Sequence, residues 1–107
     1  MILHNTTFVI TPAIELQFLH WIRNEYLPAI QSEDNFHDPL LTKIKPHASV
    51  DEEESLSYAL QFKAADEEAV NVWFAEKISE TLSRSQQRFG ENMLMFSTIM
   101  EIVCIDG

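Results

Sequence analysis

Glycine is almost missing from this chain: Gly90 and Gly107 are the only two in 107 residues. A phosphate-cradling loop needs several glycines so that backbone amides can converge on the anion, which excludes the usual nucleotide-binding loops. Cysteine is scarcer still. Cys104 stands alone, so an internal disulfide and every multi-cysteine metal or redox motif are ruled out. Basic residues are few, seven against seventeen acidic ones, and the formal charge is -10. Phosphate backbones and anionic lipid surfaces repel such a chain, so neither nucleic acid nor a membrane is an expected partner. No run approaches the ~18 apolar residues of a membrane span. No basic n-region or long apolar run opens the chain, since His4, Asn5, Thr6 and Thr7 interrupt its first ten residues, so a secretory leader is not expected. A cytoplasmic location is the default expectation.

What is present reads as one ordinary globular domain over residues 1–107. Hydrophobic residues make up 46% and charged residues 22%. That balance suits a chain which buries roughly two thirds of its unfolded surface without covalent staples.

The segment Ile2–Ile10 is β-branched and aromatic, which predicts a strand. Ile2, His4, Thr6, Phe8 and Ile10 share one face, and Leu3, Asn5, Thr7 and Val9 the other. A helix follows at once, from Thr11 to about Ser32. Thr11 is placed to cap it through its hydroxyl, and Pro12 suits the first turn. Ile14, Phe18, Trp21, Ile22 and Ala29 recur at helical spacing and must be buried. Glu25 lies in the middle of that face, just ahead of Pro28, which breaks the backbone ladder at Asn24. Three readings of Glu25 stay open: a desolvated acid or base, the partner of an ion pair or of freed backbone groups, or a side chain turned to solvent by the kink.

Residues 35–47 predict a weaker strand whose Pro39, Pro46, Lys43 and Lys45 mark an edge. The acidic run Asp51–Glu54 lacks the ligand spacing of a calcium loop and reads as a solvated turn. From Ser55 to Ala64 the alternation is strict, with Leu56, Tyr58, Leu60 and Phe62 on one face. A second helix spans about Asp66 to Phe89, capped by Asp66 and stopped by Gly90. Val70, Phe74, Ile78, Leu82 and Phe89 form its stripe, joined by Thr81 and Ser85, while Trp73 falls outside it. The final strand, residues 92–105, is apolar on both faces, and Cys104 reads there as a small buried hydrophobe.

The order β-α-β-β-α-β with short connections predicts an α+β, ferredoxin-like fold: a four-stranded antiparallel sheet, spatial order 4-1-3-2, with two helices on one face. Strands 1 and 4 would then expose apolar side chains on the uncovered face. A second copy packed through that open face and strand 4 would cover them, so a homodimer is expected.

Five segments carry a resemblance: MILHNTTFVI, WIRNEYLPAI, SYALQF, RFGENMLMF and TIMEIV. Together they resemble a bacterial family of short proteins, domain-of-unknown-function family 4286, over nearly the whole chain. The family is similar to the dimeric α/β-barrel class, which includes cofactor-independent monooxygenases, isomerases and decarboxylases. The family's helix commonly has histidine after the glutamate, where this chain has Tyr26. The family name implies no activity.

The ligand-binding candidates are Trp21, Glu25, Tyr58 and His4, around a cleft between helix 1 and the sheet, with Glu25 as the candidate catalytic group. Read structurally, Trp21 and Tyr58 are core aromatics whose polar tips need partners, and Glu25 is a candidate partner for either. His4 is placed to meet Glu25. His4, His20, His37 and His47 lack zinc-pair spacing, so no metal and no cofactor are expected. Two functions remain: a binding or interaction module for a small apolar organic ligand or a protein partner, or a cofactor-independent monooxygenase- or isomerase-like enzyme using that cleft.

Overall fold

Alternating apolar side chains build the sheet. The computed structural model describes residues 1–45 and 55–105; Pro46, His47 and the run Asp51–Glu54 lie outside them. Strands β1 (Ile2–Ile10), β2 (Phe36–Lys43), β3 (Leu56–Ala64) and β4 (Met93–Glu101) pair antiparallel in the order β2-β3-β1-β4. This is the ferredoxin-like arrangement, with β2 and β4 as edges. His4, Thr6, Phe8 and Ile10 on β1 and Tyr58, Leu60, Phe62 and Ala64 on β3 are buried beneath the helices. β2 is broken by a bulge between His37 and Leu40, where Asp38 takes a positive φ of 54°.

Helix α1 begins with a 3-10 turn at Pro12–Ile14 and continues through Glu15–Trp21, a π-helical turn at Ile22–Tyr26 and Leu27–Gln31. The Thr11 hydroxyl does not cap it. It donates to Asn92 Oδ1 at 3.2 Å, tying the start of α1 to the start of β4. The π turn lies just ahead of Pro28, where the ladder already lacks a donor; Leu27 N–H reaches the Ile22 carbonyl five residues back. One extra residue per turn rotates everything beyond it by roughly 100° relative to an uninterrupted helix. Tyr26, followed by Ile30, therefore completes the buried face begun by Phe18, Trp21 and Ile22. Glu25 is displaced from the centre of that face to its half-exposed margin.

Helix α2 repeats the device: Glu67–Val72, a π-helical turn at Trp73–Ile78, then Ser79–Phe89. Asp66 caps it as expected, accepting from the Ala69 amide at 2.9 Å. Gly90 ends it with a φ of 52°, and open space surrounds its Cα, so backbone conformation alone demands glycine there. The π turn corrects the expected stripe. Trp73 is 1% exposed and Phe74 only half-buried, because the burial step runs five residues from Trp73 to Ile78. Trp73 donates from Nε1 to the Ala29 carbonyl at 3.2 Å, one of the orphan acceptors in the last turn of α1.

β4 stops at Glu101, short of the expected residue 105. Its neighbour β1 begins at Ile2, opposite Glu101, so the chain beyond runs out of sheet to pair with. Ile102 N–H still reaches the Met1 carbonyl at 3.0 Å, after which Val103, Cys104 and Ile105 are exposed. Cys104 is thus not a buried hydrophobe. On the uncovered face Leu94, Phe96 and Met100 of β4 and Leu40 of β2 stand exposed, Phe96 by 58%.

Candidate functional site

The space between α1 and the sheet, where a cleft was expected, is filled. Phe8, Phe18, Trp21, Tyr26 and Tyr58 occupy it, with ring centroids 5.2 to 5.9 Å apart in the contacts of Phe8 with its neighbours. Trp21 Nε1 is buried without a hydrogen-bond partner among the described residues. Tyr58 has one, and it is not Glu25. Its hydroxyl donates to Glu15 Oε2 at 2.6 Å, and Lys43 Nζ donates to the same oxygen at 3.0 Å. These bonds hold the Glu15 carboxyl below the usual range, the tyrosine's contribution leading. Burial first, then the neighbouring carboxylate, pushes Tyr58 up to about 12. The cluster fastens the start of α1 to β2 and β3. Sequence spacing gives no sign of Glu15, which lies 43 residues from Tyr58.

Glu25 reaches across to α2, its Oε1 3.7 Å from Arg84 Nη2, both side chains being more than a third exposed. Arg84 also bonds Glu80 at 3.0 Å. An exposed, shared ion pair of this kind contributes little, so Glu25→Gln is expected to shift the urea midpoint by no more than about 0.5 kcal/mol equivalent. A loss above about 2 kcal/mol would show that Glu25 does something this geometry lacks.

His4 does not meet Glu25. Its ring lies between Phe62 and Phe74, each centroid 5.0 Å away, and its Nδ1 has no hydrogen-bond partner among the described residues. Burial among these rings lowers its pKa to about 4. The unfolded chain takes up this proton near pH 6.5 and the folded one does not. Stability is therefore complete above about pH 6.5 and falls as pH drops toward 4, below which both states are protonated. Between pH 7 and pH 5 the loss is about 2 kcal/mol in urea unfolding, and His4→Phe is expected to abolish that increment. An unchanged difference between the two pH values in the variant would contradict this. His20 is exposed on α1 and His37 on β2, so these two and His4 occupy three separate elements; no group of three metal-ligating side chains forms among the described residues.

One open space of suitable lining lies elsewhere, beside β4. A groove of about 460 Å³ separates the second half of α2 from this strand, lined by Phe74, Leu82 and Gln86 above and Met93, Met95 and Ser97 below. The half-buried state of Phe74 and Leu82 is what leaves it open. At its floor the Ser97 hydroxyl lies 3.1 Å from Thr6 Oγ1, and Thr6 Oγ1 lies 3.4 Å from the Tyr26 hydroxyl. Thr6 and Tyr26 are fully buried, and burial pushes Tyr26 up to about 12, so it stays protonated. Neither the candidate residues nor the core stripes pointed to Ser97; its alternation with Met93 and Met95 was the available signal, masked by the apolar opposite face. The groove offers hydroxyl and amide groups within an apolar wall, and no acid, base or thiol lines it among the described residues.

A sheet ordered β2-β3-β1-β4 beneath two helices, with a groove opening at its β4 edge, defines a ferredoxin-like α+β protein. The family model described as "Domain of unknown function (DUF4286)" matches residues 1–103, and the chain belongs to that family. No curated protein matches it at a significant level. Solved structures share the fold at low identity. A protein from Deinococcus radiodurans assigned to the antibiotic biosynthesis monooxygenases is 13% identical, each chain covered over 100% of its length, with a TM-score of 0.71. A dimeric ferredoxin-like protein from an uncultured marine organism is 14% identical, with 97% of this chain and 96% of that one covered and a TM-score of 0.66. A Streptomyces coelicolor monooxygenase in complex with nanaomycin D is 14% identical over 99% of this chain and 92% of that one, with a TM-score of 0.59. Likeness at this level shows the fold alone.

Proposed function

We propose that this protein is a homodimer that holds a small, largely apolar organic molecule in the groove between α2 and β4. One observation carries the reading: a cavity of about 460 Å³ with apolar walls and a few polar groups, within the size range of small-molecule sites. Binding is favoured over turnover because the described residues of the groove's walls supply no acid, base or nucleophilic thiol. The exposed stripe of Leu94, Phe96 and Met100 supports pairing through the open sheet face, since a contiguous apolar face of this kind favours burial against a partner. The like-folded dimeric protein from a marine organism supports the same assembly. A working place in the cytoplasm is supported by a fold that uses no internal disulfide.

Indane, a bicyclic hydrocarbon, is a suitable probe. Saturating indane is expected to raise the melting temperature of the protein but not of Leu82→Trp, whose indole fills the groove. An equal shift in both, or none in either, would remove the reading. The second reading is a cofactor-independent monooxygenase or isomerase, supported by the fold shared with the Streptomyces coelicolor enzyme. It requires the substrate to bring its own reactive group, and oxygen consumption on addition of a bound ligand would favour it.

A further inference from the structure

We infer that the groove selects an apolar molecule bearing a neutral carbonyl, because three linked hydroxyls fix Ser97 as a hydrogen-bond donor into it. The inference rests on the groove being the ligand site.

Each hydroxyl has one hydrogen to give. Tyr26 is fully buried among Phe8, Trp21 and Trp73, whose rings stand 5.4 to 6.0 Å from its own. Thr6 Oγ1 is the one hydrogen-bond partner that its hydroxyl reaches among the described residues, at 3.4 Å. If Tyr26 donates to Thr6, Thr6 donates to Ser97 at 3.1 Å, and the Ser97 hydrogen is left facing the groove. In the opposite direction Ser97 would donate to Thr6 and Thr6 to Tyr26. The phenolic hydrogen would then be stranded in the aromatic core with no acceptor, whereas the outward direction strands nothing, because Ser97 is exposed. The phenol remains protonated throughout the physiological range, so the direction does not reverse with pH. A groove floor that donates one hydrogen bond calls for an acceptor on the ligand. The chain's charge of -10 disfavours a carboxylate as that acceptor and favours a neutral one, of which a ketone- or quinone-type carbonyl on an apolar ring is the kind proposed.

Three bicyclic probes of nearly equal size separate the possibilities. Indane has no polar atom, 1-indanone only an acceptor, and indole an N–H donor. Amide NMR titrations of the full chain are expected to give 1-indanone an affinity roughly ten-fold above indane, with no gain for indole. Ser97→Ala, an exposed substitution, should remove the advantage of 1-indanone over indane. Tyr26→Phe removes the source of the polarity and lets Ser97 turn inward, so indole gains and the 1-indanone advantage shrinks. A preference for indole in the unmodified protein, or a 1-indanone advantage that survives Ser97→Ala, would overturn the inference while leaving the groove as a binding site. If indane itself fails to bind, the groove reading falls and takes this inference with it.

Discussion

Trp73→Ala is expected to lower the unfolding free energy by about 4 kcal/mol, a large share of what a domain of this size possesses. The ring is 1% exposed and meets Tyr26, Phe36, Phe62 and Phe74 at centroid distances of 5.1 to 6.0 Å. Its removal leaves a cavity at the point where α2, α1 and the sheet converge, and the Ala29 carbonyl loses its bond from α2. Trp73→Phe restores much of the packing without the bond, so its cost is about 1–2 kcal/mol. Urea unfolding of both variants measures this. A cost below about 1.5 kcal/mol for the alanine variant would show that Trp73 does not join the two helices.

Phe96→Glu is expected to split the proposed dimer. Phe96 is 58% exposed in the single chain, so burying it in a two-fold interface removes two copies from water, at about 2 kcal/mol each. Their loss weakens association by about 1000-fold before any repulsion between the two new carboxylates is added. Sedimentation should then show the 12.4 kDa single chain for the variant and twice that mass for the unmodified protein. Leu16→Glu is the control, because Leu16 is 81% exposed on α1, away from the open sheet face, and should leave the dimer intact. Far-ultraviolet circular dichroism is expected to stay unchanged in both variants. A 12.4 kDa species for the unmodified protein at tens of micromolar would reject the dimer.

Much of the architecture is written in short-range pattern. The alternation in β1 and β3, the cap at Asp66, the stop at Gly90 and the edge devices of β2 each act over a few residues, and each was legible. With short connections, that order of elements admits essentially one sheet. Helix phase was not legible. Pro28 announces a disturbance in α1 without saying that it is a π turn, and α2 carries the same turn with no proline at all. A single inserted residue rotates the rest of a helix by roughly 100°, which exchanged Glu25 for Tyr26 and brought Trp73 into the core.

The site depended on contacts still further apart in the chain. Tyr58 found Glu15, 43 residues away, in place of Glu25. The hydroxyl chain joins Tyr26 to Thr6 across 20 residues and Thr6 to Ser97 across 91. By itself the sequence determined the order of elements, the strand faces and the open apolar edge, because burial period and turn chemistry are local properties. Only the tertiary structure decided which helix face turns inward, where the groove opens and which way its hydrogen bond points. Those depend on helix phase and on which polar groups, distant in the chain, meet in a dry core, where an unpaired hydroxyl is costly.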